Sequence, residues 1–60
     1  MKYNELYKKL RKAGCLQFQH GKRHDIWKNP VNGNFVAVPR HGTEEVPIGT
    51  LRSIYRKLGL

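Results

Sequence analysis

His24-Asp25-Ile26-Trp27-Lys28-Asn29-Pro30-Val31-Asn32-Gly33-Asn34-Phe35-Val36-Ala37-Val38 is the stretch that decides the fold. Its centre, Asn29 to Asn34, is the clearest turn signal in the chain. Asn-Gly tolerates the positive φ values of a tight hairpin turn, and Pro30 closes the run before it because it cannot donate to a ladder. The flanking runs predict two antiparallel strands, 24–28 and 34–38, the second ended by Pro39. Alternation puts His24, Ile26 and Lys28 on one face and Asp25 and Trp27 on the other. Trp27 is the larger apolar group, so its face is expected to be covered. That leaves His24 on an open face beside Lys28, with Ile26 and Phe35 as apolar neighbours.

Working outward, Cys15 to His20 reads as another strand, broken by Gly21. Leu16, Phe18 and His20 are expected on one face and Cys15, Gln17 and Gln19 on the other. Before it, Tyr3, Leu6, Tyr7, Leu10 and Ala13 recur at helical spacing. They predict a helix over 4–13, with Asn4 as N-cap and Gly14 just past the end. After a polar loop, Arg40 to Val46, Pro47 suits the first turn of a second helix. Ile48, Leu51, Ile54, Tyr55 and Leu58 form its apolar stripe, and Gly59 stops it.

The order is α-β-β-β-α, an α+β class with a three-stranded antiparallel meander. Two amphipathic helices and one sheet share a core only if both helices cover the same sheet face. That arrangement resembles the double-stranded RNA-binding domain. Sixty residues allow one domain, 1–60, with a small core and no deep substrate cavity, so any activity sits on an open surface.

Twelve Lys and Arg against four Asp and Glu give a formal net charge of +8. These charges are spread over helices and strands rather than gathered in a tail, which favours a polyanionic partner, nucleic acid first. The single cysteine, Cys15, excludes an intramolecular disulfide and suits a reducing cytoplasm. It reads as a small buried thiol. The longest apolar run, Phe35 to Val38, is far too short to span a membrane.

His24 is the candidate for chemistry. Lys22, Arg23 and Lys28 surround it and disfavour the imidazolium, so a neutral ring able to act as general base is expected. The plainer reading is a surface histidine. Asp25 is no partner for it, because adjacent strand residues point apart. His20, His24, His41 and Cys15 lack metal-ligand spacing. Lys22, Arg23, Lys28, Arg40 and His41 form a candidate basic patch for phosphate contacts. The start of one hairpin strand lies near the end of the other, which brings the patch together.

The ordered set Leu10 to Gly14, Gly21-Lys22-Arg23-His24-Asp25-Ile26-Trp27, Val36-Ala37-Val38-Pro39-Arg40-His41, Gly49-Thr50-Leu51-Arg52-Ser53-Ile54 and Leu58-Gly59-Leu60 resembles the HicA family of type II toxin–antitoxin toxins. The resemblance implies a small ribonuclease that cleaves mRNA to halt translation. It carries the family's essential histidine onto His24 and implies that no metal or other cofactor is needed. It also implies a HicB-family antitoxin over the active face, in a two-plus-two complex if the antitoxin is dimeric. Lys22 and Arg23 stand where many members have small residues. The resemblance and the residues together make metal-independent RNA cleavage the leading expectation, with His24 as base and His41 as candidate acid. A non-catalytic RNA-binding module and a purely protein-binding subunit are the alternatives.

Overall fold

The computed structural model describes residues 1–60. Five elements follow one another: α1 (Tyr3–Lys12), β1 (Leu16–His20), β2 (His24–Lys28), β3 (Phe35–Pro39) and α2 (Ile48–Leu58). The strands form one antiparallel sheet in the order β1-β2-β3. No helix is long and apolar enough to cross a membrane.

The core lies between the helices and one sheet face. Tyr3, Leu6 and Leu10 from α1 and Ile54 and Leu58 from α2 meet Trp27, Val36 and Val38 from the sheet. Trp27 is fully enclosed. Tyr7 stacks parallel to it at 6.0 Å between ring centroids, and the Arg11 guanidinium lies 5.2 Å from its ring. Cys15 and Val46 complete the cluster from just before β1 and from the loop before α2. The opposite sheet face carries no helix, as the pairing of two amphipathic helices with one sheet requires.

Three local expectations are corrected. Asn4 lies inside α1 and is not its N-cap; Lys2 holds that position, with no side-chain cap. The early helix N–H groups are satisfied by the loop before α2 instead: Tyr3 N–H donates to the Glu44 carbonyl (3.0 Å) and Asn4 N–H to that of Gly42 (2.9 Å). The β2–β3 connection is the hairpin that the Asn29 to Asn34 stretch predicts. Its closing pair is Asn29–Asn34, and Gly33 N–H reaches the Asn29 carbonyl (2.8 Å). Gly33 alone in this loop has positive φ (76°). The asparagines serve through their side chains: Asn29 Nδ2 (2.8 Å) and Asn32 Nδ2 (3.1 Å) both donate to the Leu58 carbonyl, capping the end of α2.

Pro47 is the N-cap of α2, one residue ahead of its expected place, and Ile48 is 66% exposed rather than in the core. Finally, β1 does not alternate evenly. Gln17 pairs with Trp27 and Gln19 with Ile26, so Phe18 is the extra residue of a β-bulge. Every residue after it changes face: His20 pairs with Asp25 and lies on the helix side, not with Leu16 and Phe18.

Candidate functional site

The open face is built from the alternate residues of β2 and β3. His24 pairs with Pro39, Ile26 with Ala37 and Lys28 with Phe35. His24 is exposed at the first position of β2. His20 Nδ1 lies 3.1 Å from Asp25 and His41 Nδ1 3.4 Å from Glu44. His24 is the one histidine of three with no carboxylate beside it.

Beneath His24 the strand is held firmly. Asp25 points to the helix side, and its side chain is 4% exposed. A buried carboxylate is costly unless it is bonded, and Asp25 is bonded three ways. Gln17 Nε2 donates to Oδ2 (2.6 Å), His20 Nδ1 meets Oδ1 (3.1 Å), and Arg40 Nε lies 3.4 Å from Oδ1. There is thus no His24–Asp25 dyad. Arg40 also donates to the carbonyls of Gly21 and, at 2.7 Å, Lys22. Its backbone N–H reaches the Arg23 carbonyl at 3.1 Å. The β1–β2 turn is therefore clamped from β3. Gly21 is needed there because its N–H meets the His24 carbonyl at 2.8 Å, and an added Cβ would lie 2.6 Å from that oxygen.

The basic patch divides. Lys22 and Arg23 are exposed in the turn just before His24. Lys28 lies at the other end of β2, with Nζ 5.0 Å from the Phe18 ring centroid. Arg40 comes close to Lys22 and Arg23, but its guanidinium is engaged with their turn and with Asp25. His41 turns toward the helix layer, where its ring meets Tyr3 edge-on at 5.9 Å. No three His, Cys, Asp or Glu side chains converge as a metal ion would require.

Burial raises the Tyr7 phenol above its ordinary value, and the charge of Asp25 adds to this. Its OH donates to the Pro39 carbonyl at 2.5 Å, which fixes the strand opposite His24. Burial also raises the Cys15 thiol, which disfavours the nucleophilic thiolate.

The supporting set Gln17, His20 and Asp25 was not legible as a unit. The signal that points to it is a lone carboxylate on a core-facing strand position, which must find partners. Which residues supply them depends on the bulge.

A family model described as HicA toxin of bacterial toxin-antitoxin matches residues 3–60. A Pseudomonas fluorescens (strain Pf0-1) protein described as "Probable mRNA interferase HicA" is 38% identical over 60 residues, covering 100% of this chain and 97% of that protein. No solved structure matches. With a match that runs through both helices and all three strands, the chain belongs to the HicA family of bacterial toxin–antitoxin toxins.

Proposed function

We propose that this chain is an endoribonuclease that cleaves mRNA in the cytoplasm without a metal, with His24 as general base. The observation that carries the reading is His24 itself: an exposed imidazole with no carboxylate partner, on the bare sheet face next to the exposed turn residues Lys22 and Arg23. A ring nitrogen of His24 takes the proton of a ribose 2′-OH. The 2′ oxygen then bonds to the adjacent phosphorus, and the bond from phosphorus to the 5′ oxygen breaks. The products are a 2′,3′-cyclic phosphate and a 5′-hydroxyl end. Lys22 and Arg23, beside His24, offset charge developing on the phosphoryl oxygens. Water protonates the leaving oxygen, and the hydroxide it leaves takes the proton held on His24, which restores the base; His41 lies instead against Tyr3 and Glu44.

The same face suits a HicB-family antitoxin as the neutralising partner, in a two-plus-two assembly if that partner is dimeric. Incubation of the protein with end-labelled RNA in EDTA tests the nuclease reading. Fragments ending in 2′,3′-cyclic phosphate are expected. RNA that is bound but stays intact would make the chain a binding module instead.

A further inference from the structure

The open face carries apolar area that His24 chemistry does not use. Phe18, Phe35 and Leu16 are 62%, 65% and 58% exposed. The bulge sets Phe18 against Lys28, whose Nζ lies 5.0 Å from the ring centroid, and Lys28 is also the register partner of Phe35. Lys28, on the central strand, therefore lies between Phe18 and Phe35 on the face that displays His24, with its ammonium over the Phe18 ring. Two rings left in water forgo the free energy of burial, and the lysine between them is a poor match for an apolar protein surface. A nucleotide offers what the trio lacks: a flat π surface for each ring and an anion for the amine. The net charge of +8 favours the same ligand.

We propose that Phe18, Lys28 and Phe35 form a base-stacking subsite for single-stranded RNA. Bases lie on the two rings, and Lys28 meets the phosphate between them. This rests on the RNA-cleaving reading above and adds the residues that grip the RNA strand. Lys28 stands four residues along β2 from His24, about 13 Å at ~3.3 Å per residue, the reach of a few nucleotides. The subsite thus grips the strand away from the bond being cut. Bases in a duplex are stacked on one another and cannot reach the rings. Stacking tolerates any base, because each has a π face.

The test is RNA binding by the full chain carrying His24→Gln, so that RNA stays whole during the measurement. Phe18→Leu with Phe35→Leu keeps apolar area and removes both rings; Phe18→Tyr with Phe35→Tyr keeps them. By fluorescence anisotropy with a labelled single-stranded oligoribonucleotide, the leucine pair raises Kd about 10- to 100-fold, and the tyrosine pair stays within about 2-fold. Binding of the same sequence as a duplex is unchanged by either pair. In the His24 background, the leucine pair raises KM for cleavage and leaves kcat near the parent value. A leucine pair that binds single strands like the parent would overturn the subsite, as would equal losses for single strand and duplex. Loss of antitoxin binding alone would make the trio a protein-docking surface. Because binding is read without cleavage, failure of His24 as base is seen separately.

Discussion

Single side chains on the two sheet faces meet opposite environments. His24 meets water, while its neighbour Asp25 is buried among Gln17, His20 and Arg40. Two ionisable groups near the core carry a consequence for pH. Burial raises the Cys15 thiol and the Tyr7 phenol above their ordinary values of 9.0 and 10.0. The folded chain then holds these protons at a pH where the unfolded chain has released them. The stability they contribute is whole below about pH 9 and is lost as pH rises from there. Urea midpoints of the parent are therefore expected to fall as pH rises above about 9, and to fall less steeply in Cys15→Ala and Tyr7→Phe. Equal slopes in all three proteins would contradict this.

At the level of elements, the β1–β2 turn decides where His24 points. A methyl group on Gly21 would press on the His24 carbonyl, so the backbone that carries the imidazole must move. Gly21→Ala is expected to slow RNA cleavage about 100-fold, the order that a misplacement of about 1 Å can cost. Gly33→Ala is the control: nothing lies within 4 Å of its added Cβ. It costs about 1 kcal/mol for its positive φ and leaves cleavage unchanged.

Arg40 is a second case. Its guanidinium clamps Gly21 and Lys22, so Arg40→Ala lowers the Tm and leaves the salt dependence of RNA affinity near the parent's. Lys22→Ala does the reverse, reducing the salt slope by about one. The turn's glycine was legible as a breaker, and its close approach to His24 was not. The bulge at Phe18 was also invisible. No glycine marks it, and one extra residue moves His20 from the open face to the buried one.

The whole molecule was the most legible level. Element order and type follow from periodicity, and the hairpin with Trp27 inward fixes which sheet face the helices cover. Contacts set by loops were less legible. The capping of α1 by Glu44 and Gly42, the exposure of Ile48 and the placement of His41 against Tyr3 all depend on the path of residues 40–47. A 60-residue domain draws about 3–5 kcal/mol from its single core. Trp27→Ala removes about that much, so it is expected to be unfolded at 25 °C by circular dichroism. Leu16→Ala on the bare face shifts stability by only about 0.5 kcal/mol.

The fold exists, on this view, to hold one exposed imidazole on the bare sheet face beside Lys22 and Arg23. Cleavage of labelled RNA by folded His24→Ala, with folding checked by its thermal melt, tests that most directly. No cleavage above background is expected from a protein that melts like the parent, and cutting at the parent's rate would show that His24 is not the base.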